Sequence, residues 1–180
     1  MLKIIGKTSL FSFSALLAAS FCVAAIPARA ASKTIHAAIQ DKTGAKIGEV
    51  TLRQEKKGVL FVVSAHGLAP GIHGVHVHAI GKCEGPDFTS SGGHFMLPGE
   101  EHGFKNPKGP HLGDLPNLIV KADGTGRLHY LNKRLTLGEG ANSLRKAGGT
   151  ALVIHAGPDD EMSNPSGNSG GRVGCAVLAE

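Results

Sequence analysis

Gly58-Val59-Leu60-Phe61-Val62-Val63-Ser64-Ala65, the turn Gly67-Leu68-Ala69-Pro70-Gly71, and then Ile72-His73-Gly74-Val75-His76-Val77-His78 decide how this chain folds. The first run is apolar and β-branched, too short for a helix and followed by Gly and Pro, so it reads as a buried strand. The second run alternates. Side chains two apart on a strand share a face, so Val75 and Val77 point toward a core while His76 and His78 point away from it together. His73 has the parity of the valines, which predicts a different role for it, that of a hydrogen-bonded buttress.

Outward from this pair the same rhythm recurs. Strands are expected over Thr34 to Gln40, Ala45 to Arg53, Leu118 to Lys121, Gly126 to Leu131, Thr150 to His155 and Arg172 to Leu178. Asp123-Gly124-Thr125-Gly126 makes a hairpin of the two middle ones. Eight short strands with Gly-rich turns and no good long helix predict an all-β fold, an eight-stranded antiparallel Greek-key barrel or sandwich. Residues 80–114 and 156–171 break the rhythm. They are long and rich in Gly or Pro, and such segments in a compact domain are usually functional. The first is expected to be a metal-binding loop and the second another active-site loop.

The histidines give the chemistry. Nine of the ten fall between residues 66 and 155, in a chain with one Tyr and no Trp. Neutral imidazole is the commonest side-chain ligand for copper and zinc. His76 and His78 are expected to share one ion. His155, at the end of a strand whose Leu152 and Ile154 pack inward, joins them only if its strand lies alongside. His94, His102, His111 and Asp114 make a three-imidazole, one-carboxylate set of the kind a tetrahedral zinc accepts.

The ends narrow the class. Lys3 and Lys7, an uncharged run from Thr8 to Ala25, and Ala28-Arg29-Ala30 have the form of a cleavable export signal over residues 1–30, with one domain over residues 31–180. A membrane anchor is the competing reading, but the apolar part is short and no stop-transfer pattern follows. A lipoprotein at Cys22 is disfavoured by the bulk of Phe21. Cleavage removes three basic residues and no acidic one, so the net charge falls from +5 to +2. That balance, with only short basic pairs, speaks against a nucleic-acid surface. Cys83 and Cys175 then remain as a pair in an oxidising compartment, bridged or serving as thiol ligands.

The motifs together resemble the copper/zinc superoxide dismutases of the bacterial, exported type. Residues 71–78 resemble the family's copper signature. Gly92-Gly93-His94-Phe95, His102-Gly103 and residues 109–115 resemble its zinc loop, and residues 167–175 its C-terminal signature. The resemblance implies copper on His76, His78, His94 and His155, and zinc on His94, His102, His111 and Asp114, with His94 an imidazolate bridge. It implies a Cys83–Cys175 disulfide, Arg172 as the active-site arginine, His73 as a non-ligand and Asp159 as a carboxylate linking the two sites. Met96-Leu97 where relatives often have Asn, Val75 for Phe, and Gly174 for Ala depart from the pattern without removing a ligand.

The implied activity is dismutation of superoxide to oxygen and hydrogen peroxide, an antioxidant role in the periplasm. The expected partner is the superoxide anion, with no nucleic acid and no stable membrane association after signal cleavage; a homodimer stays open. Arg172 would dock the anion, and Lys82, Lys105 and Lys108 are candidates for steering it. The readings from other classes are a copper or zinc carrier, and a zinc hydrolase, which lacks its His-Glu-x-x-His helix here.

Overall fold

In a computed structural model, which describes Met1 and residues 34–180, the run at residues 58–65 has one face on the core. Val59, Phe61, Val63 and Ala65 are buried; Leu60, Val62 and Ser64 lie half-buried on the outside. The strand is thus buried on one face rather than both, because its outer side is shielded only by neighbours such as Leu131, opposite Leu60.

Eight strands follow in chain order: β1 Thr34–Gln40, β2 Lys46–Glu55, β3 Gly58–Ala65, β4 Gly71–His78, β5 Asp114–Val120, β6 Gly126–Asn132, β7 Thr150–His155 and β8 Arg172–Ala179. They form a closed barrel in the order β1-β2-β3-β6-β5-β4-β7-β8, sealed where Gln40 faces Cys175. Every pairing is antiparallel. The connections from β3 to β4 and from β6 to β7 pass over neighbouring strands, so the Greek-key barrel read from the sequence is the observed architecture. The β1–β8 and β5–β6 seams are the loosest, each paired at one residue.

One boundary differs from the sequence reading by more than two residues. β5 begins at Asp114, four residues before the expected start, because Asp114 pairs with His76 and Leu115 with Val75. A register shift between His73 and Val75 absorbs Pro116 and Asn117, a tolerated place for a residue with no N–H to give. Asp114 therefore stands on a strand, not in the loop.

The barrel interior is filled by Val50, Leu52, Phe61, Val77, Leu118 and Leu152, among others. β7 is buried throughout. Leu152 and Ile154 enter the interior, while Ala151 and Val153 meet a smaller outer cluster of Phe88 and Cys175. Cys83 and Cys175 are bridged, with Cα atoms 5.7 Å apart and 92 positions apart in sequence. In the chain-entropy account a loop that long is worth about 4–5 kcal/mol. Among the described residues no helix is long and apolar enough to cross a membrane. The expected export signal and its cleavage point lie outside the described residues.

Candidate metal centre

Whether His155 can reach the strand histidines is decided by topology. β7 lies beside β4, with Ile154 opposite Val75 and Val153 opposite His76. Parity then sends Val75, Val77, Leu152 and Ile154 inward and His76, His78 and His155 outward. The segment after β4 returns along the same strand: Phe95 N donates to Val77 O at 2.8 Å, and His94 bridges to His78. Four imidazoles from three separated pieces of chain thus meet on the outer wall of the barrel.

Candidate ligand atoms of His76, His78, His94 and His155 lie within 4.8 Å of one another, and all four residues are buried. Second partners fix the tautomers. His76 Nε2 donates to Asp159 Oδ2 at 2.7 Å, His78 Nδ1 to Gly92 O at 2.9 Å and His155 Nδ1 to Gly170 O at 3.1 Å. Each bond leaves the other ring nitrogen with a free lone pair. Those atoms, His76 Nδ1, His78 Nε2 and His155 Nε2, together with His94 Nε2, are buried with no hydrogen-bond partner. An unpaired buried polar atom costs about 1–3 kcal/mol. Four in one cluster make sense as the nitrogen set of a copper ion.

The other nitrogen of His94 belongs to a second cluster, centred on Asp114. Around Asp114 Oδ1 stand His94 Nδ1 at 3.0 Å, His102 Nδ1 at 3.1 Å and His111 Nδ1 at 3.5 Å. Asp114 Oδ2 is held by the backbone N–H of Gly103 and His111, at 2.9 and 3.0 Å. By distance alone His76 also groups with His94, His102 and Asp114. Its Nε2 is taken by Asp159, however, whereas His111 Nδ1 lies 3.4 Å from His94 Nδ1. His111 is therefore the better fourth member. Three imidazoles and a carboxylate suit zinc.

Asp159 spans the two clusters, since its Oδ1 accepts from His102 Nε2 at 2.8 Å and its Oδ2 from His76 Nε2. It is clamped by Asn117, a residue with no motif around it. The Asn117 carboxamide donates to Asp159 O and accepts from Asp159 N, both at 2.9 Å. Gly167, at φ +63°, lies against this bridge, and a Cβ there would stand 1.8 Å from Asp159 Oδ1 and 2.7 Å from His102 Nε2. His73 is held apart from both clusters. Its ring nitrogens face His155 O at 2.6 Å and Ala69 O at 2.8 Å, tying the start of β4 to the end of β7.

A cavity of about 190 Å³ opens onto the first cluster, bordered by His78, His94, His155, Pro165, Ser166 and Arg172. Arg172 is the one permanently charged residue on its wall. Its guanidinium is fixed by Phe88 O at 2.6 Å, Gly92 O at 2.8 Å and Ser91 Oγ at 3.0 Å. Phe88 in turn packs in the outer cluster beside the disulfide. Lys105 and Lys108, two of the candidates for steering, are paired with Glu161 at 3.1 Å and Glu101 at 3.0 Å, and the cation that borders the cavity is Arg172.

A family model described as copper/zinc superoxide dismutase matches residues 46–178, from β2 into β8. The chain belongs to the copper/zinc superoxide dismutase family. It is 48% identical over 145 residues to copper-zinc superoxide dismutase 1 of Aquifex aeolicus, covering 79% of this chain and 86% of the relative. The crystal structure of a superoxide dismutase-like protein from Bacillus subtilis superposes with a TM-score of 0.76 at 38% identity, covering 79% of this chain and 97% of that one. The copper/zinc superoxide dismutase of Brucella abortus gives 0.62 at 27%, covering 81% and 99%. Copper and zinc are the metals of this family, and the two clusters offer each a fitting donor set.

Burial sets the protonation of this dismutase-family site. It pushes His76, His78 and His155 down to about 3, 2 and 4, and it also lowers His94 against the pull of Asp114. The lone pairs are therefore free at neutral pH. Burial works the same way on His102, but the carboxylates of Asp114 and Asp159 outweigh it and raise that ring to about 9. Burial opposes ionisation of Asp114 and Asp159 too, and hydrogen bonds from the histidines, His102 foremost, hold both below the usual carboxylate range.

These directions predict a stability maximum for the metal-free protein near pH 6.5. As pH falls from about 6.5 toward 4, the unfolded chain protonates three rings that the folded one keeps neutral. Stability drops there by about 1.4 kcal/mol per pH unit for each full proton difference. The raised His102 contributes fully below 6.5 and is lost as pH rises through about 9. Thermal melts of metal-free protein should show a steep acid limb and a shallow alkaline one. A melting temperature that climbed steadily from pH 6.5 to 9 would contradict this account.

Proposed function

We propose that this chain converts two superoxide anions and two protons to oxygen and hydrogen peroxide, with copper held by His76, His78, His94 and His155 and zinc by His94, His102, His111 and Asp114. The observation that carries the reading is the set of four buried, partnerless imidazole nitrogens beside a cavity whose fixed cation is Arg172. Copper, when bound, supplies a one-electron couple and zinc a fixed positive charge.

Arg172 binds and orients the anion by charge and by directed N–H groups. Its three backbone and hydroxyl acceptors hold the guanidinium still before substrate arrives, so little ordering cost falls on the encounter. His94 is the shared ligand. Its Nε2 is the chain's site for holding a proton and passing it to reduced oxygen, while its Nδ1 stays with the Asp114 cluster. Asp159, clamped by Asn117, keeps the rings of His76 and His102 in one relative orientation. The barrel wall and the disulfide-tied segment back the cluster of His76, His78 and His155, which faces the cavity on the Arg172 side. Export to the periplasm after removal of residues 1–30 completes the reading, and the disulfide supports it.

Superoxide decay followed by absorbance, with protein loaded with copper and zinc and with zinc alone, tests the activity. Decay accelerated only by the copper-loaded form is expected. Tight copper binding with no acceleration would make the chain a metal carrier instead.

A further inference from the structure

The metal pair has a second mouth. A cavity of about 370 Å³ on the zinc side is bordered by Phe104, Pro110, His111, Asp114, Tyr130 and Arg134. It shares no bordering residue with the Arg172 cavity, and neither His78 nor His155 reaches it. The two clusters are thus approached from separate sides, one through Arg172 and the other through a cleft between β6 and the long loop.

Phe104 covers this cleft. Its ring stands edge-on to Tyr130, with centroids 6.3 Å apart and planes at 73°, and the residue remains 38% exposed. The turn that follows is held by the pairs Lys105–Glu161 and Lys108–Glu101, whose lysines are exposed, by Asn106, which donates to Glu101 and accepts from Lys108 N, and by a few backbone bonds, among them Lys105 N to Glu161 O at 2.9 Å. Exposed ion pairs contribute little, and local opening draws on such weakly held segments. By contrast, Arg134 binds Pro110 O and Glu100, fixing the opposite rim.

Resting on the proposed zinc assignment, we infer that the Phe104–Tyr130 cleft is the exchange route for zinc. The Phe104 ring is its lid, and substrate and copper use the other mouth. Zinc would then leave and enter past His111 without disturbing Arg172 or the nitrogens of His78 and His155. A folded, copper-loaded protein could in this way be refilled with zinc.

The test uses the full mature chain loaded with both metals and follows zinc release to pyridylazoresorcinol and, after reduction, copper release to bathocuproine. Phe104→Ala should release zinc faster, on the order of tenfold, as removal of one aromatic pair contact allows, with copper release unchanged within about twofold. Tyr130→Phe, which keeps the ring contact, should behave as the parent. Leu131→Phe, which fills the cleft from β6, should slow zinc release and covers the case in which Phe104→Ala fails to fold. Equal acceleration of both metals, or unchanged zinc release in both Phe104→Ala and Leu131→Phe, would overturn the route. A parent protein that takes up copper but no zinc would instead overturn the zinc assignment on which the route rests.

Discussion

His94→Ala is expected to weaken both metals at once. The ring offers Nε2 to the cluster of His76, His78 and His155 and Nδ1 to that of His102, His111 and Asp114. Removing a mere outer partner of a ligand costs about 10–100-fold in metal affinity, so loss of a ligand from each set should exceed that for copper and zinc alike. His73→Ala is the matched control, since that ring is also buried and only three residues from His76. It should keep both metals and lose stability, because the ring that joins the carbonyls of His155 and Ala69 is gone and the one accepting its N–H is left without a donor, at about 1–3 kcal/mol. Metal content by elemental analysis and thermal melts read the two effects separately. If His73→Ala emptied the copper site in a folded protein while His94→Ala retained both ions, the assignment would be wrong.

Arg172→Ala should slow dismutation while leaving metal content near that of the parent. A hydrogen bond to a charged group contributes about 1.5–3 kcal/mol, which corresponds to roughly 10- to 150-fold in rate. The loss should be largest at low salt, where a single positive charge at the mouth steers the anion most. Arg172→Lys should recover the charge but not the fork that grips Phe88 O, Gly92 O and Ser91 Oγ, and so return only part of the rate. Stopped-flow superoxide decay across a salt series measures this. An Ala variant as fast as the parent at low salt would remove Arg172 from the mechanism.

The parts of this molecule legible in its sequence are those governed by local period. Alternation at residues 72–78 separates Val75 and Val77 from His76 and His78, and that separation holds in the barrel because strand parity is a property of the backbone itself. His155 is different, for its place beside His76 depends on β7 lying next to β4, a long-range pairing that no window of sequence encodes. Asp114 reads as a loop residue because it closes the Gly- and Pro-rich segment 80–114; only the register shift opposite Gly74 lets the strand begin early. Asn117 is a single carboxamide with no motif around it, and its clamp on Asp159 exists only because the second loop folds back over β5. Lys105 and Lys108 could be read only as candidates for the converse reason, since charge is visible in sequence and its partner is not.

The bridge through His94 is the centre of the account, and magnetic coupling tests it most directly. With Cu(II) placed in both sites, an imidazolate joining the ions should couple their spins, so the electron paramagnetic resonance intensity should fall well below that of two isolated coppers. His94→Ala, in whatever fraction still binds two coppers, should lose this coupling. Full additive intensity from a wild-type protein shown by elemental analysis to hold two coppers per chain would contradict the shared ligand, and with it the paired-metal site.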